Sequence, residues 1–410
     1  MGTTHKALDF DLARARRETP GCERVMHFNN AGAALMPRPV LDAVVSHLQL
    51  EASVGGYEAK AQREEATERV YAAAAQLINC APDEIAFIEN ATRAWDMAFY
   101  SIPFAPGDRI LTARAEYVSN YIAYLQVAQK TGARVEVVPD DGDGQLAVAA
   151  LREMIDERVK LISITHVPTH GGLVNPAAAV GRVAREAGVP FLLDACQSVG
   201  QMPVDVEEIG CDMLSTTGRK YLRGPRGTGF LYVRRELCER LEPPFLDMRA
   251  ARWTAKDRFE ISAGARRFEN WEQYYAGKVG LGVAIDYALD WGLDAIWARV
   301  RRLAEMLRER LRSLGFVAVH DQGALRCGIV TFAVEGAPAD EVQRRLAADG
   351  INVTVSLSEY ARLDMEDRGL DALVRASVHY YNTEEEVERF CQALSRQFRR
   401  PGTNDVGQNH

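Results

Sequence analysis

The chain has no apolar run near the roughly 18–20 residues that a bilayer-crossing helix needs, so no membrane association is expected. Cysteine is sparse and scattered: Cys22, Cys80, Cys196, Cys211, Cys238, Cys327 and Cys391 are odd in number and never form a C-x-x-C pair. That pattern supports neither a disulfide framework nor a cysteine-based zinc site. An excess of positive charge is also missing, since 49 Lys and Arg stand against 57 Asp and Glu for a net charge of −8. Non-specific nucleic-acid binding needs a basic surface that displaces counterions, so no nucleic-acid partner is expected. The opening residues MGTTHKALDFDLARARRETPG hold no apolar segment of the kind a secretory signal uses. The expected location is the cytoplasm.

What is present is the composition of an ordinary globular enzyme, 47% hydrophobic and 26% charged, over a length that allows two or three domains. The first twenty or so residues, rich in Arg and Asp, read as an arm. An amphipathic helix is expected from about Pro39, broken by Val54-Gly55-Gly56-Tyr57, and an Ala-rich helix from about Glu58 to Ile78. Short β-rich runs then recur at 84–88, 109–111, 134–138, 161–165 and 190–193 with helical patterns between them. This alternation predicts a largely parallel, doubly wound sheet. Two further strands are expected at 213–216 and 229–233. A long helix near 277–291 then opens a different, α+β pattern that runs to about Phe398. The tail PGTNDVGQNH reads as disordered.

Some motifs have ordinary readings. Gly142-Asp143-Gly144-Gln145-Leu146-Ala147 nominally fits a dinucleotide fingerprint, but Asp140, Asp141 and Asp143 surround it where a pyrophosphate wants positive charge, so it reads as a turn. His166 and His170 stand four apart at a strand end and read as loop residues, not as a metal pair. The Arg-rich stretch 299–312 also carries Glu305 and Glu309 and reads as a solvated helix face.

Three patches carry more. The strand-like Phe191-Leu192-Leu193 ends abruptly in Asp194-Ala195-Cys196-Gln197, and ligands of open α/β sheets sit off the carboxyl ends of strands. A buried carboxylate there needs a positive partner, though a helix cap would also use one. About twenty residues on, Ser215-Thr216-Thr217-Gly218-Arg219-Lys220 precedes Gly224-Pro225-Arg226-Gly227-Thr228-Gly229. Small residues admit a close ligand, and hydroxyls before a lysine suit a phosphate beside a reactive amine; a surface Lys in a basic hairpin is the plainer alternative. Finally, Glu89-Asn90-Ala91-Thr92-Arg93-Ala94 joins a strand to a helix, where free amides make an anion site, or where Thr92 serves as an ordinary cap. One ligand accounts for all three patches: it has a phosphate, a basic ring nitrogen and an aldehyde.

With D-A-x-Q followed by the Ser/Thr-containing G-x-K element, the chain resembles the class V aminotransferase family of pyridoxal-phosphate enzymes, fold type I, which includes cysteine desulfurases and related C–S lyases. The resemblance spans roughly residues 26–398. It implies an α/β fold with a large domain at 26–275 on a mainly parallel seven-stranded sheet, to whose smaller neighbour the N-terminal helices contribute. A smaller α+β domain is implied at 276–398, between an arm at 1–25 and a tail at 399–410. By the same resemblance Lys220 holds the cofactor, Asp194 pairs with its ring nitrogen, and Gln197 approaches its ring hydroxyl. Ala91, Thr92, Thr217 and Arg219 hold the phosphate, and Tyr117 covers the ring where many relatives have His. Arg375 grips the substrate α-carboxylate, with Asn30, Ala31 and Tyr57 on the substrate side. A homodimer is implied, with Trp271, Tyr274 and Tyr275 suited to its interface.

Two departures from the family pattern stand out. Val353-Thr354-Val355-Ser356-Leu357-Ser358-Glu359-Tyr360, where desulfurases carry a persulfide-forming Cys, has none. Phe268-Glu269-Asn270-Trp271-Glu272-Gln273-Tyr274-Tyr275 replaces the Thr-bearing loop that reaches the partner's phosphate in relatives. The expected reaction is C–S β-elimination from a cysteine-derived conjugate or sulfoxide, similar to the lyases that cleave hercynylcysteine sulfoxide. The alternatives are a class V transamination, an epimerisation of the isopenicillin-N-epimerase type, and, from another class, a non-catalytic regulator of the same fold.

Overall fold

The computed structural model describes residues 10–399. The expected tail beyond Arg399 and the first nine residues of the expected arm lie outside them. Within the arm stretch, Leu12–Arg17 is helical, capped by the Asp11 side chain. It is tied down by Arg16 to Glu386 at 2.8 Å and by Phe10 stacked on Trp291.

Two helices follow, α1 (Arg38–Val54) and α2 (Glu64–Ile78), with a short helix Gly56–Gln62 between them. Where one continuous helix from Glu58 was expected, the chain breaks at Arg63, whose φ of −116° is not helical.

The central sheet has seven strands: β1 (Ile85–Ile88), β2 (Arg109–Ala113), β3 (Arg134–Val138), β4 (Val159–Thr165), β5 (Phe191–Asp194), β6 (Met213–Thr217) and β7 (Gly229–Val233), in the order β1-β7-β6-β5-β4-β2-β3. Only β7 runs against its two neighbours; the other pairs are parallel. The apolar runs have no alternation because both faces are covered. Leu192 packs into one core, with Leu161, Met213 and Leu231, while Phe191 and Leu193 pack into the other, with Ile162, Ile164 and Leu214. Helices α3 (Ala91–Phe99), α4 (Val118–Thr131) and α5 (Ala177–Ala187) follow β1, β2 and β4. A hairpin, β8 (Ala251–Ala255) and β9 (Arg258–Ile261), projects with Trp253 and Phe259 exposed.

Helix α6 (Tyr275–Trp291) is buried along most of its length. Its glycines allow this: a Cβ at Gly280 would meet Val44 of α1 at 2.4 Å, and one at Gly277 would meet the Tyr274 ring at 2.1 Å. Helix α7 (Leu293–Ser313) leads to a four-stranded antiparallel sheet of β10 (Val317–Val319), β11 (Ile329–Val334), β12 (Thr354–Leu357) and β13 (Ala372–Ser377), ordered β10-β11-β13-β12, and to the closing helix α8 (Glu384–Phe398). The N-terminal segment joins this part of the molecule, as Met26–His27 pairs with Ile351–Asn352. The charged stretch of α7 does present a solvated face, with Arg301, Arg302, Glu309, Arg310 and Arg312 exposed, but Arg299 and Arg308 depart from that expectation. Arg308 is fully buried, donating to Asp321 at 2.7 Å and to the carbonyls of Cys327 and Ile329. Arg299 is buried against the carbonyls of Tyr380 and Asn382. A buried guanidinium is tolerable only with its donors filled, and here they tie the helix to the sheet.

Candidate active site

The carboxyl ends of β4, β5 and β6 and the amino end of α3 converge on one cavity. All eight residues expected to touch the cofactor line it: Ala91, Thr92, Tyr117, Asp194, Gln197, Thr217, Arg219 and Lys220. A second cavity adjoins it, sharing Tyr117, Arg219 and Lys220 and adding Ala31, Arg375 and the β12 residues Thr354 and Ser356.

At the helix terminus the cap is Asn90, whose side chain accepts from Arg93 N at 2.9 Å. Thr92 is therefore released from the capping role considered for it. The first-turn N–H groups have no acceptor within a helix, and together they make a seat for an anion.

Asp194 ends β5 with its carboxylate fixed on both oxygens: Cys196 N donates to Oδ1 and Asn120 Nδ2 to Oδ2, each at 3.0 Å. Behind Asn120 lies Glu116, buried, accepting from Asn120 Nδ2 at 3.0 Å, Tyr117 N at 2.7 Å, Thr112 Oγ1 at 3.0 Å and Thr165 Oγ1. Burial pushes the Glu116 carboxyl up to about 7, against the pull of those hydrogen bonds.

Gln197 donates through Nε2 to Ala31 O at 3.0 Å and Thr169 Oγ1 at 3.1 Å, leaving Oε1 buried without a partner. Such an orphan acceptor is costly unless a ligand donates to it. Burial holds the Lys220 amine below its ordinary value, which enlarges the neutral, nucleophilic fraction. Lys220 belongs to a tight loop. Arg223, at φ +60°, is held in that left-handed conformation by Thr19, Leu35 and Tyr380. A Cβ at Gly218 would lie 2.3 Å from Thr228 Oγ1.

Arg375 on β13 is buried, and its guanidinium donates to Thr169 O at 2.9 Å and Oγ1 at 2.5 Å. Burial lowers it to about 10, and its Nε has no partner. Two expected substrate-side residues are not brought to either cavity. Tyr57 is 73% exposed on the short helix Gly56–Gln62. Asn30 is buried but spent on the fold, donating to Ser377 O at 2.7 Å and accepting from the Tyr381 hydroxyl.

The sequence reading passed over Glu116, Asn120 and Thr169. Glu116 lies just before the Tyr117 cap of α4 and Asn120 in its first turn, so the turn into the helix brings the two side chains together. Thr169 follows β4 at its carboxyl end, where ligand sites of open sheets form. Among the described residues Cys196 is the one cysteine lining either cavity, and burial pushes its thiol up to about 12.

The aminotransferase class-V family model matches residues 26–390. A probable cysteine desulfurase of Xylella fastidiosa is 32% identical, over 94% of this chain and 95% of that relative. Among solved structures, the apo cysteine desulfurase of Thermococcus onnurineus NA1 superposes with a TM-score of 0.88 at 27% identity, covering 94% of this chain and 98% of that one. The cystine C–S lyase C-DES, in complex with its product cysteine persulfide, shares the fold with a TM-score of 0.82 at 23% identity, over 93% of this chain and 99% of that one.

Proposed function

The chain belongs to the class V aminotransferase family of pyridoxal-phosphate enzymes, and from that membership we propose that it is a lyase that breaks a C–S bond at Cβ of an amino-acid substrate, without a persulfide-forming cysteine.

The residues present fit the cofactor. The orphaned Gln197 Oε1 can accept from the ring hydroxyl, Asp194 is held as an acceptor for a protonated ring nitrogen, and the start of α3 offers donors to a phosphate. When bound, pyridoxal phosphate supplies an aldehyde for amines and a ring that withdraws electrons from Cα. The Ala91 and Thr92 amides, with the hydroxyls of Thr92 and Thr217 and with Arg219, hold the phosphate. Tyr117 covers the ring face by stacking. Lys220 would anchor the cofactor, and its Nζ, which burial keeps neutral in larger part, would take the proton from the substrate Cα. Arg375, oriented by Thr169, binds the α-carboxylate.

The observation carrying the choice of reaction is the absence of a thiol from the substrate-side cavity, whose β12 wall is Thr354, Val355 and Ser356. Cys196 lies in the cofactor cavity with its thiol held neutral, and the thiolate is the nucleophilic form. The desulfurase names of the relatives favour a second reading, sulfur removal from cysteine itself. The test is to incubate the holoenzyme with cysteine, cystine and S-conjugates of cysteine. Pyruvate formed with the intact sulfur fragment supports elimination; alanine with persulfide on a protein cysteine supports desulfuration; conversion of an added 2-oxo acid supports transamination. We further assign a homodimer, supported by an exposed apolar stripe on α1 at Leu41, Val45 and Leu48 and by the exposed Trp271 and Tyr274.

A further inference from the structure

The substrate-side cavity contains a second acid/base group beside Lys220. His170, one residue beyond the Thr169 that fixes Arg375, lines this cavity together with Lys220, Arg375, Ser356 and Tyr360. Its Nε2 lies 2.9 Å from Asp364 Oδ2, and both residues are buried, at 3% and 5% exposure. Asp364 comes from a separate element, the short helix Arg362–Met365. It also accepts from Arg368 at 3.0 Å, and its carboxyl lies below the ordinary range, with burial opposed by the bonds and charges of His170 and Arg368. Asp364 is therefore an ionised acceptor that fixes the proton on Nε2. Nδ1 of His170 has no hydrogen-bond partner among the described residues. A buried carboxylate orienting an imidazole whose other nitrogen is uncommitted is the arrangement by which proteins build proton-transfer groups. The charged neighbours of the pair are Arg368, Asp140 (which Arg114 binds at 2.9 Å), and across the cavity Lys220, Arg219 and Arg375.

Resting on the β-lyase reading, we propose that His170, oriented by Asp364, is the general acid that protonates the departing sulfur. Lys220 takes the Cα proton, the electron pair of that C–H bond forms the Cα=Cβ bond as the Cβ–S bond breaks with its own pair going to sulfur, and Nδ1–H of the His170 imidazolium delivers the proton that makes the fragment leave neutral. The neutral imidazole keeps its Nε2–H on Asp364 and is reprotonated from solvent. With Arg375 holding the α-carboxylate and Lys220 at Cα, the substituent on Cβ falls to the rest of the cavity lining, of which His170 and Tyr360 are part.

A leaving group that is a weak base does not need this acid, whereas an alkanethiolate does. The test compares β-chloroalanine with an S-alkyl cysteine, measuring pyruvate in wild-type, His170→Gln and Asp364→Asn holoenzymes of equal cofactor content. In His170→Gln the ratio of kcat/KM for β-chloroalanine to that for the S-alkyl cysteine should rise about 100-fold or more, the usual reach of general acid catalysis. Asp364→Asn should move the ratio in the same direction by less. The Nε2–H proton should give a downfield proton resonance in wild-type holoenzyme that both variants lose. If both substrates slow equally, the pair only braces the 358–371 segment and the proposal falls; an unchanged ratio in either folded variant also overturns it. If wild type eliminates neither substrate while it transaminates, the β-lyase reading fails and takes the proposal with it. Elimination of both by wild type with no change of ratio in the variants removes the role of His170 alone.

Discussion

Glu116 carries a shifted titration that experiment can reach directly. Its carboxyl moves from 4.5 to about 7, burial being the largest cause. A carboxyl raised in the folded state gives stability that is complete below its unfolded value and is lost as pH rises through the folded one. The cofactor-free protein should therefore lose stability between about pH 4.5 and 7, by on the order of 3 kcal/mol from this group. Glu116→Gln keeps an acceptor for Tyr117 N and Asn120 and presents an amide to the Thr112 hydroxyl. The difference in urea midpoint between this variant and wild type should move in the variant's favour across that window; a difference independent of pH would refute the assignment. Arg375 offers a second test. Arg375→Lys keeps the charge but loses the fork geometry, so kcat/KM should fall by tens- to thousands-fold, as about 2–5 kcal/mol implies for a buried charge pair, while the cofactor absorbance stays normal. Wild-type-like kcat/KM for the amino acid would mean that another cation binds the carboxylate.

Elements of this fold approach each other closely where glycine permits. On α5, Gly181 packs against the end of the short helix Val206–Ile209, and a Cβ there would lie 1.8 Å from the Ile209 carbonyl oxygen. Both sides are backbone, so Gly181→Ala should lower the unfolding free energy by at least the ~1–3 kcal/mol typical of overpacking. Gly56 is the contrasting position, with nothing within 4 Å of a Cβ at the first residue of its helix. Gly56→Ala should be neutral or stabilising by up to about 1 kcal/mol. Denaturant titrations of the two variants should separate them in that order, and equal midpoints would contradict the packing described. The same reasoning explains why helix boundaries in the first hundred residues were only partly legible: Glu58–Ile78 has a continuous helical composition, and the break at Arg63 comes from the tertiary course of the chain.

At the scale of the whole molecule, the stripe Leu41, Val45 and Leu48 leaves an apolar face on α1 at about 40% exposure per residue. A proposed second copy would cover it, so light scattering at micromolar concentration should give twice the 45.4 kDa chain mass, and Val45→Glu with Leu48→Glu should return the single-chain mass. A single-chain mass in wild type would sink the dimer. Among the described residues no helix is long and apolar enough to cross a membrane. The sequence by itself determined the class of fold and the cofactor, because buried parallel strands read as unbroken apolar runs and because the chemistry at their ends is local: Asp194 with Gln197, Thr217 with Lys220, and Ala91 with Thr92 each lie within a few residues on one strand-to-loop junction. Only the tertiary structure decided how those junctions are supported. Glu116 reaches Asp194 through Asn120, Thr169 joins Gln197 to Arg375, and Asp364 meets His170 from 194 residues away. Tyr57, placed on the substrate side by resemblance, lies on an exposed helix of this chain. Contacts between side chains distant in sequence leave no periodicity or spacing to read, since they depend on which strand ends and loops the sheet order sets side by side.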